Sequence, residues 1–238
     1  MLSQALSIPP SILLPLAHTK HCEAPAPRTL HDHFLRAPVR SFAAKEHVFT
    51  EGDPRSNLYR VEAGAVCLYK VMGDGRRQVL GFAYPGDLIG LGACNDHQCN
   101  AQATKRTQLR SVPWNTVQRL ARQDPALGLK LYEAISEELA AAHDLLLTTG
   151  QRSAAERVAT FLLATVRRCR RNGQDASVID LPMTRADIGD FLGLTIETVS
   201  RTFTKLRQLG VIDLAQSARV RVLDIDALEG LAQGDADL

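Results

Sequence analysis

At 238 residues the chain has room for two modest domains, and 45% hydrophobic with 23% charged content is a globular rather than a disordered balance. The formal net charge of +2 does not by itself mark a nucleic-acid binder, and no apolar run is long enough to span a membrane. Five cysteines, at positions 22, 67, 94, 99 and 169, are odd in number and unevenly spread, which argues against a disulfide framework and suits a cytoplasmic protein.

In chain order, residues 1–30 are proline-rich with little apolar periodicity and read as a flexible extension. Their short ILLPLA run is broken by Pro15 and has no basic residue before it, which argues against a signal peptide. From about Val39 to Val112 the texture is β. EHVFT, NLYRVE, AVCLYKVM, RQVLGFAY and TQLRSV are short runs of β-branched and aromatic residues, punctuated by Gly52, Gly64, Gly73-Asp74-Gly75 and Pro85-Gly86. Many short strands with glycine turns predict a small barrel or sandwich.

The pattern changes near Asp124. Tyr132, Ile135, Leu139, Ala142, Leu146 and Thr149 recur at alternating spacings of three and four, a heptad seam on a helix predicted from about Pro125 to Thr149. So narrow a seam on so long a helix suits a partner helix and hence a symmetric dimer. Packing along the chain's own β region is the other reading. Gly150 is expected to end this helix and to act as a hinge. A second helix follows from Ser153 to about Arg171, and its last turns carry Arg167, Arg168, Arg170 and Arg171. These cations either complement a helix C-terminus or form a secondary phosphate-contact patch.

After a polar loop at 172–177, residues 182–210 read PMTRADIGDFLGLTIETVSRTFTKLRQLG. Thr184 opens a T-x-x-D capping box, and Ile188, Phe191 and Leu192 share one helical face. Gly193 is suited to the left-handed conformation that ends the helix, and Thr195 to capping the next. Val199, Phe203 and Leu206 form the buried stripe of that second helix, leaving Glu197, Ser200, Arg201 and Lys205 on its outer face. A helix-turn-helix presents such a face to base edges and phosphates, whereas an ordinary helical hairpin would simply solvate it. VIDL at 211–214 and RVRVL at 219–223 predict a two-stranded wing around Gln216-Ser217, and a short acidic helix closes the chain. Between Gln151 and Val222 there are 12 Lys/Arg against 7 Asp/Glu, an excess cancelled by five acids in the last 16 residues. A P-loop, a G-x-S-x-G elbow and an H-E-x-x-H motif are all missing, so an enzyme reading has little support.

With this order of elements, the chain resembles the superfamily of the cyclic AMP receptor protein and the fumarate–nitrate reduction regulator (CRP/FNR). MTRADIGDFLGLTIETVSRTFTKL carries the likeness most specifically; GRRQVLGFAYPGDLIGL and Ala101-Gln102-Ala103 support it and point to the FNR/FixK branch. The resemblance implies an α+β fold: an N-terminal β-roll of the cyclic-nucleotide-binding type, a long dimerisation helix and a C-terminal winged helix-turn-helix. The expected division is 1–30, 31–123, 124–150 and 151–238. It further implies a homodimeric transcription regulator, an activator, that binds double-stranded DNA and contacts RNA polymerase. Glu197, Ser200 and Arg201 would read bases. Thr184, Arg185, Thr195 and Thr198 would hold phosphates. Ile196 stands where the cyclic AMP branch has an arginine, which favours the palindrome TTGAT-N4-ATCAA. The 171–177 loop and the Met72–Arg77 hairpin are the expected polymerase-facing surfaces.

Departures from the family bear on the signal. A cyclic-nucleotide site needs a glutamate where Leu91 stands and an Arg-Ser pair where Asn100-Ala101 stands. An iron–sulfur cluster needs four thiolates, yet only Cys22 lies near the start, and Arg110 occupies the fourth expected position. No cofactor is therefore expected. Cys94-x-x-His97-x-Cys99 resembles a metal loop without matching a common zinc spacing. Haem through one of His18, His21, His31, His33, His47 or His97, or oxidation of Cys169, are the readings left for a ligand- or redox-gated regulator. The simplest reading is FixK-like: an effector-free regulator of low-oxygen metabolism, governed by its abundance.

Overall fold

The computed structural model describes residues 29–92, 94–216 and 218–234. The N-terminal extension, with His18, His21 and Cys22, lies outside them except for its last two residues. Ala93, Ser217 and the last four residues also lie outside.

Two four-stranded antiparallel sheets make the N-terminal half. One has the order β1 (Arg40–Phe42), β8 (Thr107–Pro113), β3 (Asn57–Ala63), β6 (Leu88–Ile89); the other has β2 (His47–Phe49), β7 (Asn100–Ala103), β4 (Val66–Val71), β5 (Arg77–Ala83). Alternation puts Phe42, Phe49, Tyr59, Val61, Val66, Ala83, Ile89, Ala101, Ala103 and Leu109 into a shared core between the sheets. The turn from β3 to β4 requires Gly64. Its φ is +90°, and a Cβ there would lie 2.5 Å from Thr107 Oγ1 and 2.6 Å from the Thr107 backbone.

Two helices flanking the roll were not foreseen. α1 (Leu30–Arg36) is opened by a capping box in which Thr29 Oγ1 accepts from Asp32 N at 3.1 Å and Asp32 Oδ2 accepts from Thr29 N at 3.0 Å. α2 (Trp114–Gln123) buries Val117 and Leu120 against Leu30, Phe34, Leu58 and Val112. The long helix α3 (Pro125–Gln151) follows, with Asp124 as N-cap and Pro125 in its first turn. Over 27 residues it extends about 40 Å. It buries only Leu127 and Thr148.

Gly150 does not end α3. It keeps helical backbone inside the last turn, because nothing there demands a left-handed residue. The break falls two residues later, where Arg152 N donates to Thr148 O at 3.3 Å and Ser153 caps the next helix by accepting from Glu156 N at 3.3 Å.

The C-terminal unit comprises α4 (Ala154–Arg171), β9 (Val178–Asp180), α5 (Arg185–Leu192), α6 (Ile196–Gln208), β10 (Ile212–Gln216), β11 (Arg219–Val222) and α7 (Ile225–Gln233). Val158, Leu162 and Val166 of α4 pack with Ile188, Leu192, Val199, Phe203, Leu206, Ile212, Val220 and Leu228 in one core. The wing has three strands, in the order β10-β11-β9, where two were expected. The extra strand is a second copy of the V-I-D-L tetrapeptide, at 178–181, and Val178–Asp180 pairs antiparallel with Arg219–Arg221. Ile179, Ile212 and Val220 of this small sheet join the core that holds the α5–α6 pair. Among the described residues no helix is long and apolar enough to cross a membrane.

Candidate nucleic-acid interface

The local geometry of the α5–α6 pair follows from its caps. Thr184 Oγ1 accepts from Asp187 N at 3.1 Å, and Asp187 Oδ2 accepts from Thr184 N at 2.9 Å. Gly193 ends α5 at φ +65° with its N–H on Gly189 O. Thr195 then caps α6, accepting from Thr198 N at 3.2 Å. The turn is tight enough to exclude a side chain at Gly189, where a Cβ would sit 2.6 Å from Leu194 O. That requirement was not read from the sequence, although a glycine mid-helix is the signal for it.

The stripe of α6 is buried as expected, with Val199, Phe203 and Leu206 each at most 1% exposed. Ile196, Glu197, Ser200, Arg201, Thr204, Lys205 and Gln208 are exposed on the opposite side. Arg201, Lys205, Ser200, Thr204 and Gln208 line one open depression of about 400 Å³. A second of similar size runs from Thr198, Arg201 and Lys205 to Ser153, Ala154 and Ala155 at the start of α4. The carboxyl of Glu197 is held below its ordinary value, first by its own backbone N–H and then by the Thr195 hydroxyl, with Arg201 adding attraction. It is therefore an acceptor at neutral pH. Arg201 Nη2 also reaches Thr198 Oγ1 at 3.4 Å.

The four expected phosphate ligands cluster at the two helix starts. Thr184 and Thr195 are exposed, and Thr198 and Arg185 are partly buried. Arg185 lies across α6, its guanidinium carbon 3.5 Å from the centre of the Phe203 ring. Of the arginines ending α4, Arg168 turns inward. It pairs with Asp87 at 2.6 Å and stacks over Tyr84 at 4.3 Å. Arg167, Arg170 and Arg171 are exposed, about 20–25 Å along α4 from the end that borders α6.

The seam of α3 is uncovered in the single chain. Tyr132, Ile135, Leu139 and Leu146 are 67%, 46%, 55% and 69% exposed; Ala142 is exposed and Thr149 half-buried.

The β-roll does not fit either family effector. Leu91 packs with the Leu58–Val112 cluster, and Asn100 braces the roll, accepting from Glu51 N and donating to Tyr69 O. No cation stands at either position to meet a cyclic phosphate. Arg110, in place of a cluster thiolate, donates to the Leu35 and Ala37 carbonyls. Among the described residues no group of three or more His, Cys, Asp or Glu is placed to hold a metal ion. Of the Cys94–Cys99 loop, Cys94 is exposed, Cys99 packs on the β core, and the His97 ring stacks on Phe49 with centroids 3.6 Å apart. Burial first, then Arg55, lowers the His97 pKa. Cys169 is half-buried against the C-terminal core, where burial raises its pKa.

Comparison with known proteins adds to this geometry. Residues 156–231 match the Crp-like helix-turn-helix domain, and residues 39–124 match the cyclic nucleotide-binding domain. The chain is 39% identical over 191 residues to the nitrogen fixation regulation protein FixK of Bradyrhizobium diazoefficiens, covering 80% of each. It is 32% identical over 235 residues to the transcriptional activator protein Anr of Pseudomonas aeruginosa, covering 94% of this chain and 96% of that one. The structure of FixK2 from Bradyrhizobium japonicum superimposes with a TM-score of 0.78 at 37% identity, covering 82% of this chain and 96% of the other.

Proposed function

This chain belongs to the CRP/FNR superfamily, on its FixK/FNR branch, and is a sequence-specific DNA-binding transcription regulator; from that premise we propose that it works as a homodimeric activator on the palindrome TTGAT-N4-ATCAA. The observation that carries the proposal is the outward face of α6. Arg201 offers the fork of donors that suits O6 and N7 of guanine, Glu197 is an ionised acceptor for the N4 amine of cytosine, and Ser200 suits thymine or adenine. Thr184, Arg185, Thr195 and Thr198 stand beside that face, where phosphate contacts set register. The uncovered seam of α3 supports pairing of two chains, which would place two α6 helices about 34 Å apart, one DNA turn.

The division into an extension, a β-roll at 31–123, a dimer helix at 124–150 and a DNA-binding unit at 151–238 belongs to this reading. So do polymerase contacts through the 171–177 loop and the exposed tip of the Met72–Arg77 hairpin. With a β-roll that suits neither a cyclic nucleotide nor a four-thiolate cluster, the regulator acts without an effector. Low-oxygen metabolism as its target follows the FNR/FixK resemblance; of the relatives, FixK is named a nitrogen fixation regulation protein and Anr a transcriptional activator protein. Selection from random duplexes by the purified protein in air tests this: TTGAT-N4-ATCAA is the expected product, and enrichment of another half-site would refute it. A visible absorption spectrum tests the effector: a featureless trace is expected, and a Soret band or an iron–sulfur shoulder would make the protein a gated regulator.

A further inference from the structure

The β-roll and the DNA-reading unit are joined by more than the α3–α4 connection. Arg77, at the start of β5, pairs through Nη1 with Asp187 Oδ1 at 2.6 Å and lies 3.5 Å from Asp190 Oδ2, both on α5. The same guanidinium donates from Nη2 to Cys67 Sγ at 3.1 Å and lies over the Tyr69 ring at 4.2 Å, so β4 fixes it from behind. Burial pushes the Cys67 thiol up to about 12, despite Arg77 beside it, leaving a neutral acceptor. Gln78 Nε2 donates to Asp190 O at 2.8 Å. Phe82 of β5 meets Phe191 of α5 and Phe161 of α4 edge to face, with centroids 5.5 and 6.4 Å apart. The Arg168–Asp87 pair adds a link from α4 to the turn between β5 and β6.

Asp187 is thus shared. It belongs to the capping box that starts α5, and it receives the β-roll's arginine. None of these contacts covers Glu197, Ser200, Arg201 or Lys205, which stay exposed while the two units are docked. The chain between α3 and α4 is only Arg152–Ser153; Arg152 O accepts from Arg157 Nε at 2.8 Å and Arg157 Nη1 donates to Leu192 O at 3.0 Å, so the joint is tied to α5, and the Arg77 and Gln78 contacts tie α5 in turn to the β-roll.

We propose that Arg77 and Gln78 are positioning residues for operator recognition: they lock α5 to the β-roll and so set the separation of the two α6 helices in the dimer. Their effect is on half-site spacing, not on which bases a half-site contains. The inference rests on dimeric reading of a palindrome.

The test compares wild type, Arg77→Ala/Gln78→Ala and Arg77→Lys on duplexes with TTGAT and ATCAA separated by four or six base pairs. A third duplex carries a swapped G·C pair within the half-site. The double variant is expected to lose tenfold or more of the preference for the four-base-pair spacer while keeping discrimination of the swapped pair, and Arg77→Lys to restore most of the preference. Hydrogen exchange without DNA is expected to quicken at amides 151–154 and to stay unchanged in α6. A spacer preference within twofold of wild type, or parallel loss of base discrimination, would overturn the proposal. Should wild type prefer no palindrome, the operator assignment fails and the exchange decides: unaltered rates at 151–154 would overturn the lock as well.

Discussion

Arg185 and Phe203 are stacked across the helix-turn-helix, the guanidinium carbon 3.5 Å from the ring centre. One residue thereby serves two ends: it ties α5 to α6, and it opens α5 among the residues proposed to meet phosphates. Arg185→Ala is expected to weaken binding to operator and random DNA alike and to reduce the salt slope by about 1. It is also expected to destabilise the fold by about 0.5–2 kcal/mol through the lost stack. Arg185→Lys should keep the salt slope and lose stability, because an ammonium does not replace a stacked planar fork. Binding isotherms over a salt series, with thermal melts, check both parts.

Base reading predicts the opposite profile. Arg201→Ala and Glu197→Ala are expected to lose about 1–3 kcal/mol on the operator, roughly 5- to 150-fold, with little change on random DNA. Competition with duplexes altered at the G·C pair of each half-site measures this, and equal losses on both DNAs would remove these residues from base recognition.

The α3 seam leads to a third expectation. Ile135→Glu with Leu139→Glu should convert a dimer into a chain of 26.0 kDa in sedimentation equilibrium. Operator affinity should fall to that of a single half-site. Both side chains are exposed in the single chain, so the substitutions leave the β-roll core intact.

His97 makes stability depend on pH. Its pKa is lowered in the folded protein, chiefly by burial, with Arg55 adding repulsion. A group with a depressed folded value binds fewer protons folded than unfolded, so stability is complete above the unfolded value of about 6.5 and declines as pH falls below it toward the folded value. Melting temperatures at pH 7.5 and 5.5 should therefore differ in wild type, and His97→Phe, which keeps a ring against Phe49, should narrow the difference.

The parts legible in the sequence are those governed by local rules. The α5–α6 pair was readable because caps and buried stripes act within one or two turns: Thr184, Gly193 and Thr195 stand at the expected termini, and Val199, Phe203 and Leu206 are buried. The runs EHVFT, NLYRVE, AVCLYKVM, RQVLGFAY and TQLRSV fall on β2, β3, β4, β5 and β8 for the same reason, whereas β1, β6 and β7, two to four residues long, carry too little alternation to be read. α1 was overlooked although Thr29-x-x-Asp32 repeats the pattern at Thr184, because proline-rich sequence precedes it. The third wing strand was overlooked because three residues pair with a strand some 40 positions away. The Arg77–Asp187 pair spans 110 positions, and no local pattern marks either residue as the other's partner. Long-range pairing of charges depends on the packed arrangement of both units, which a single sequence does not display.

The central claim is that a dimer reads an FNR-type palindrome with no effector, and a fluorescence anisotropy titration of the purified protein in air tests it most directly. At about 0.15 M salt, without nucleotide or iron, half-saturation on TTGAT-N4-ATCAA is expected at about 10⁻⁸ M or below, at least a thousandfold tighter than on a scrambled duplex. Equal binding to the two duplexes, or binding that appears only after a nucleotide is added or a cluster is assembled anaerobically, would contradict the claim.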